Sequence, residues 1–237
     1  LIVEAVVFDL FHTLVDPEQF RPRSFSRIGT AGECFGVDPT EMERVWAEEV
    51  ADLVLRSSVR TVDMLAEAAV RMGGSVTDSA VTEADEALGR YQDMALMRPL
   101  PGVVEILRQV RSTGIKVGLL SNAHERDIRV WDASPLAECF DAVVMSCDAG
   151  VAKPEPGSYA AIIDRLGVIA ESAIYCGDGN GGELSGARDF GFGLVVAITG
   201  PALESGFRTP EEIGSISSDA HVATGTIRSL PGLLGLA

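Results

Sequence analysis

The sequence predicts an α/β fold: a parallel sheet covered by helices and interrupted, after its first strand, by an all-helical insert. Three observations lead there. An apolar run, Val3 and Ala5 through Phe8, stops on the single carboxylate of Asp9, and a strand without a polar face belongs to a sheet buried on both sides. Residues 16–97 then carry only helical periodicity. From Pro101 onward helix and strand patterns alternate, which implies parallel strands joined by right-handed crossovers.

Taken in order, the first strand ends at Asp9, and Val15-Asp16-Pro17-Glu18 breaks the pattern. A short helix is expected over 25–35. Asp38 before Pro39 supplies an N-cap and a first-turn proline, leading into Met42, Val45, Trp46, Val50, Leu53 and Val54. Val62, Leu65, Ala66, Ala69 and Met72 keep helical spacing until Gly73-Gly74 stops them, and Asp78 opens another helix that runs toward Pro99. Beyond Pro101 the expected elements are a helix over 103–111, a strand over 117–120 ending in Ser121-Asn122, and a helix beginning near Glu125. A strand over 142–145, a helix over 158–166 and a strand over 173–176 ending in Gly177-Asp178 come next. Strands over 194–198 and 220–222 complete the set. The unit formed by 16–97 stands above the carboxyl edge of the sheet, where a cap can exclude water and select substrates. No internal repeat is present.

A chain of 237 residues can bury one large core or two unequal ones. Nineteen basic against 35 acidic residues give a formal charge of −16, which repels a phosphate backbone and argues against nucleic acid as a partner. A small phosphorylated ligand remains compatible, because one cation and a few backbone amides outweigh the global field locally. Cys34, Cys139, Cys147 and Cys176 show no metal-site spacing and read as reduced thiols. No run approaches the ~18 apolar residues of a membrane span, and the N-terminus reads as a strand rather than a basic, cleavable signal. A cytoplasmic protein with no membrane partner is expected.

Chemistry-bearing residues stand at four strand ends or in the loops just after them: Asp9 with Thr13, Ser121 with Asn122, Lys153, and Asp178 with Glu183. A parallel sheet brings such ends to one edge, the edge where α/β proteins bind ligands. Each residue alone has a plainer reading. Asp9 serves as a turn cap, Ser121 and Asn122 as helix caps, and Lys153 as a surface lysine whose stem covers apolar atoms. Converging, they make a site. Asp9 can attack phosphorus as a carboxylate nucleophile. Three carboxylates in one cleft repel one another unless a cation is present, and hard oxygen ligands suit Mg²⁺. Lys153, one of only two lysines in the chain, can touch both the nucleophile and a phosphoryl oxygen.

In this order the residues resemble the haloacid dehalogenase superfamily, over nearly the whole chain. Asp9-Leu10-Phe11-His12-Thr13 stands as the first motif, Ser121-Asn122 as the second, Lys153-Pro154 as the third and Gly177-Asp178 with Glu183 as the fourth. The resemblance implies a Rossmann-like core over 1–15 and 98–237, with 16–97 as a helical cap. It implies Asp9 as nucleophile and Lys153 as a catalytic and phosphate-binding cation, with Thr13, Ser121 and Asn122 also binding phosphate. It further implies Mg²⁺ held by Asp9, the Phe11 carbonyl, Asp178 and Glu183. The expectation is a Mg²⁺-dependent phosphatase acting on a small phosphorylated metabolite through an aspartyl-phosphate at Asp9, as monomer or homodimer.

Two departures stand against this pattern. Phe11 occupies the position where phosphatases of the superfamily usually carry a second aspartate as general acid and base, and His12 occupies a usual glycine position. Phe11 and Asn180 match the metal-free haloacid dehalogenases, whereas Asp178 matches the metal-dependent phosphatases. Alternatives are therefore a 2-haloacid dehalogenase working through an aspartyl ester at Asp9, and a non-catalytic binding protein on the same fold. His12 and His124 lie near the proposed cleft, where either can stand in for the missing acid, although a histidine there is more often structural. His221 is further away. Arg21 and Arg23 can bind a substrate anion, but solvated charge is the favoured reading. Residues 177–182 also match G-x-G-x-x-G; a dinucleotide is disfavoured because Asp178 would face its pyrophosphate.

Overall fold

The structure, a computed structural model, describes residues 2–235; positions 1, 236 and 237 of the expected spans 1–15 and 98–237 lie outside the described residues. Six strands form one parallel sheet: β1 (Ala5–Phe8), β2 (Lys116–Ser121), β3 (Ala142–Met145), β4 (Ala173–Gly177), β5 (Leu194–Ile198) and β6 (Val222–Thr224). Their order is β3-β2-β1-β4-β5-β6. The chain moves outward from β1 in one direction through β2 and β3, then returns to β1's other side for β4. The crevice at that reversal is the usual ligand position in such sheets.

β1 is central, and its four residues are wholly buried. Val6 and Phe8 point to one side, into a core with Leu119, Cys176 and Val196; Ala5 and Val7 point to the other, against Tyr159, Ile162 and Tyr175. That is why the run shows no polar alternation. Phe8 pairs in register with Leu119 of β2 and with Cys176 of β4, so the carboxyl ends of the three strands stand level. Asp9, Ser121-Asn122 and Asp178 thereby come to one edge.

Two expected elements differ. The last strand runs from Val222 to Thr224 rather than over 220–222, because the imidazole of His221 takes the Val195 amide at 2.9 Å and occupies the pairing position before the ladder begins. No α-helix begins near Glu125. Three short 3₁₀ turns are found instead, Glu125–Ile128, Trp131–Ala133 and Ala137–Cys139. His124 and Asp127 cap one another across the first turn, Arg126 and Asp127 are drawn inward and buried, and Pro135 blocks continuation. Among the described residues all four cysteines are free thiols, and no helix is long and apolar enough to cross a membrane.

Between β1 and β2 lie the helices Arg27–Cys34, Pro39–Val45, Thr61–Arg71 and Asp78–Met97. They share a core of their own, built from Ala31, Phe35, Met42, Val45, Leu65 and Leu88. Ser26, Asp38 and Thr77 each accept a backbone amide at the start of a helix, which satisfies donors the helix cannot. These helices meet the sheet-bearing part through Ala95 and Leu96, which enter the core beneath β1, and through a dense set of polar contacts with the turn 124–129. Arg126 is 1% exposed and enters a notch in the helix Asp78–Met97. Its Nη1 and Nη2 donate to the Asp93 carboxylate at 2.9 and 3.0 Å, and its Nε donates to the Asp85 carbonyl at 2.9 Å. Arg129 donates to Asp85 at 2.7 Å.

Gly89 makes the notch. A Cβ there would stand 1.7 Å from Arg126 Nη1. The tip of an arginine can usually yield, but this one is enclosed and hydrogen-bonded on every side. Helix propensity alone makes Gly89→Ala stabilising by about 1 kcal/mol. Ejecting a buried guanidinium and stranding its carboxylates costs roughly 3–5 kcal/mol. We expect Gly89→Ala to be destabilising in urea unfolding, and a gain in stability would show that the Arg126 contact contributes nothing.

Candidate active site

Asp9 sits at the carboxyl end of β1 and is 6% exposed. Its Oδ1 accepts from Lys153 Nζ at 2.6 Å, and its Oδ2 accepts from the Thr13 hydroxyl at 3.1 Å. The Lys153 ammonium also donates to Glu183 Oε2 and approaches the Tyr175 hydroxyl at 3.0 Å. Tyr175 in turn donates to Glu183 Oε2 at 2.6 Å, and the Gly179 amide donates to Glu183 Oε1 at 2.9 Å. Gly177 has no room for a side chain, since a Cβ would meet Glu183 Oε1 at 2.2 Å. Asn122 fixes the lysine from behind: its side-chain amide donates to the Lys153 carbonyl and accepts from the Lys153 amide, both at 2.8 Å.

Burial raises the pKa of Asp9, with Lys153 opposing it and Asp178 adding to it. Glu183 is raised for the same first reason, again against Lys153. Burial disfavours the lysine's charge, but the two carboxylates outweigh it and hold Lys153 above its ordinary value. One ammonium is thus shared by two buried acids. Asp178 joins them: one ligand oxygen each from Asp9, Asp178 and Glu183 lie within 4.8 Å of one another, all three residues buried. Asp178 Oδ1 accepts the Asn180 amide at 3.0 Å, and its Oδ2 accepts Arg208 Nη2 at 3.1 Å.

The cluster floors a cavity of about 270 Å³ whose lining includes Phe11, Arg21, Arg27, Gln92, Asn122 and Asp127. Of the residues expected at the site, Asp9, Phe11, Asn122, Lys153, Asp178 and Glu183 line it, while Thr13 and Ser121 lie buried beneath without lining it. The Ser121 hydroxyl is buried and has no partner among the described residues. His12 lines the cavity with a backbone φ of 58°, a left-handed conformation that favours glycine. Its ring stacks on Phe207 at 3.8 Å between centroids and 5° between planes.

Arg27, Gln92, Asp127, Tyr175 and Arg208 escaped the sequence reading. Arg27 left a faint signal, since a cation in the first turn of a helix opposes the macrodipole and something must hold it there. Its Nη2 pairs with Asp127 at 2.5 Å across the junction between helices and sheet. Tyr175 is a polar tip inside an apolar strand, which usually has a partner when buried. Arg208 lies thirty residues beyond Asp178 and left no local signal. Arg21 does line the cavity, paired with Glu18.

The model of the haloacid dehalogenase-like hydrolases matches residues 3–191. The chain belongs to that family. It is a hydrolase, and this sets aside the non-catalytic alternative. It is 24% identical over 206 residues to the (S)-2-haloacid dehalogenase 4A of Burkholderia cepacia, covering 81% of this chain and 82% of that one. It is 26% identical over 227 residues to the glyceraldehyde 3-phosphate phosphatase of Methanopyrus kandleri, covering 92% and 94%. A solved HAD phosphatase from Thermococcus onnurineus shares the fold with a TM-score of 0.65 at 21% identity, over 98% of both chains. The family therefore includes relatives of both reaction types at similar distance from this chain.

His124 holds the cavity wall rather than lining it. Its Nε2 lies 3.1 Å from Asp127 Oδ2, and its Nδ1 lies 3.0 Å from the Thr61 hydroxyl. A neutral ring that donates at Nε2 and accepts at Nδ1 satisfies both. Burial drives its pKa down to about 4 from 6.5, against the pull of Asp127 and with the help of Arg27 and Arg126. The unfolded chain therefore binds a proton between those two values that the folded chain does not. Stability from this group is complete above its unfolded value and falls as pH drops through the window, by on the order of 3 kcal/mol in all. The stability gap between wild type and His124→Gln should shrink from pH 7 to pH 4.5 in urea unfolding. A constant gap would show that His124 titrates normally.

Proposed function

We propose that this hydrolase is a cation-dependent phosphatase for a small phosphorylated molecule, with Asp9 as the nucleophile. The observation that carries the reading is the charge balance at the cavity floor. Among the described residues Asp9, Asp178 and Glu183 are met by the cations Lys153 and Arg208, so with all three acids ionised the site carries one formal negative charge more than its partners balance, and burial resists that state by raising the pKa of Asp9 and Glu183. Three hard oxygen donors on adjoining strand ends suit Mg²⁺, and an ion there removes the surplus. Asp9, Asp178 and Glu183 would hold it, together with the Phe11 carbonyl. When bound, Mg²⁺ neutralises the phosphoryl oxygens and so eases the approach of an anionic nucleophile.

The chain's own groups do the rest. An Asp9 carboxylate oxygen forms the new bond to phosphorus, and the bond from phosphorus to the ester oxygen breaks, its electron pair leaving on that oxygen, which takes its proton from water. Lys153 and Thr13 keep the carboxylate in position. The Asn122 backbone amide donates to the phosphoryl group; the Ser121 hydroxyl, buried with no partner among the described residues, is the donor next to it in the chain. Water then attacks phosphorus, the Asp9 oxygen departs, and inorganic phosphate leaves. Arg21 and Arg27, above the floor, meet anionic or hydroxylated parts of the substrate. The helices of 16–97 act as the cap that closes this space.

The dehalogenase reading has one specific observation in its favour. Phe11 offers no acid for a leaving alcohol, and halide needs none. The two readings separate cleanly. We expect the protein to hydrolyse an aryl phosphate only with Mg²⁺, and chelation or Asp9→Asn to abolish the activity. Halide release from a 2-haloacid by chelated protein at a comparable rate would establish the dehalogenase instead.

Phe11 also sets a preference among phosphates. General acid catalysis contributes about 10²- to 10⁴-fold, and its absence falls hardest on basic leaving groups. Aryl and acyl phosphates should therefore turn over well ahead of alkyl phosphates, and Phe11→Asp should raise the alkyl rate more than the aryl rate. Equal wild-type rates on matched esters, with chemistry rate-limiting, would mean that another group supplies the proton.

A further inference from the structure

Arg208 belongs to the segment 205–209, between the helices Gly200–Glu204 and Pro210–Ser217. Two neighbouring residues of that segment fasten it over the cavity floor. Phe207 stacks on His12, three positions after Asp9. The guanidinium of Arg208 lies 5.4 Å from the Phe207 ring centroid and donates to Asp178 Oδ2 through Nη2 at 3.1 Å, with Nε at 3.4 Å. Asp178 is 1% exposed and the arginine side chain 14%, so this bond joins a buried acid of the site to a cation that borders solvent.

We propose that Arg208 is a built-in competitor for the divalent cation, so that the strap formed by Phe207 and Arg208 sets how tightly the site takes metal. The inference rests on the cation reading given above. The guanidinium holds one of the three acidic groups that a cation needs. A double positive charge bound among Asp9, Asp178 and Glu183 repels a guanidinium left on Asp178, and the burial of all three acids weakens solvent screening. Cation binding therefore requires Arg208 to withdraw. The arginine can do so, because its side chain is 14% exposed and borders solvent, whereas Asp178 cannot follow. With no cation present, the arginine prevents Asp178 from standing as a buried, unpaired charge. Lys153 differs: it contacts Asp9 and Glu183 but not Asp178, so it leaves the aspartate to be shared between arginine and metal.

The test measures metal binding directly, by titrating the full-length protein with Mn²⁺ and following free Mn²⁺ by electron paramagnetic resonance. Arg208→Gln should bind Mn²⁺ roughly ten-fold more tightly than wild type, since a partly buried competing ion pair is removed. Phe207→Ala, which loosens the strap but keeps the charge, should bind a few-fold more tightly. It also serves as the test if Arg208→Gln fails to fold, as judged by circular dichroism. Asp178→Asn should weaken binding and cancel the gain from Arg208→Gln in the double variant. Equal affinities in wild type, Arg208→Gln and Phe207→Ala would overturn the role of Arg208 and leave the cation reading standing. A gain that persists in the double variant would overturn it as well, because the effect would not pass through Asp178. No Mn²⁺ bound by any of them would overturn the cation reading and this inference together.

Discussion

A single ammonium group at the carboxyl edge of the sheet constrains much of what surrounds it. Lys153 is 6% exposed, and a buried charge is tolerated only where it is paired and hydrogen-bonded. Its partners come from three places in the chain: Asp9 after β1, Tyr175 in β4, and Glu183 at the start of the following helix. Asn122 after β2 grips its backbone. The network ties β1 to its neighbours on both sides at their carboxyl ends. Removing the lysine leaves two buried carboxylates facing each other, and removing Glu183 frees the lysine to pair with Asp9 alone. The position of Asp9 and the integrity of the sheet edge are the same problem.

The second constraint lies at the turn 124–129, where the helical insert meets the sheet. Arg126 reaches out to Asp85 and Asp93, while Asp127 receives Arg27 and His124 faces Thr61. Five of these seven residues carry a formal charge, and most of the contacts are shielded from water. Such a junction is specific in register, because each buried group left unpaired costs more than it contributes when paired. It also reaches the candidate site. Arg27 and Asp127 line the cavity, so the contact that docks the insert is also part of the cavity wall. The wide sequence gaps between partners make this docking invisible to any local reading.

Much of the fold was legible because buried parallel strands announce themselves. Ala5–Phe8, Ala142–Met145 and Leu194–Ile198 are short apolar runs, and their alternation with helices leaves few topologies. The site was legible for the same reason, since strand ends of a parallel sheet converge. What failed was local structure governed by distant partners. The helix expected near Glu125 is a set of 3₁₀ turns because Arg126 is pulled into the notch at Gly89, thirty-seven positions earlier in the chain. The last strand starts late because His221 spends its ring nitrogen on Val195. Arg208 was passed over because its partner Asp178 lies across β5 and two helices.

The mixed signals of the sequence reduce to a question of charge. A haloacid dehalogenase and a phosphatase of one fold share a carboxylate nucleophile and a lysine beside it; they differ in what balances the remaining acids. Here Asp178 makes the floor more acidic than Lys153 can neutralise, and Arg208 has been brought from beyond β5 to meet it. An arginine placed there is consistent with either chemistry: it can substitute for a cation in a metal-free site, or yield to one in a metal-dependent site. The distinction turns on how firmly it is held. One ion pair at the border of solvent and one aromatic stack are a modest restraint, much weaker than the multiple contacts that enclose Lys153 and Arg126. A cation that must remain for good would be expected to be gripped as those two are. The looser hold on Arg208 is the hold of a group that gives way, and that tilts the balance toward a site built to receive a metal ion.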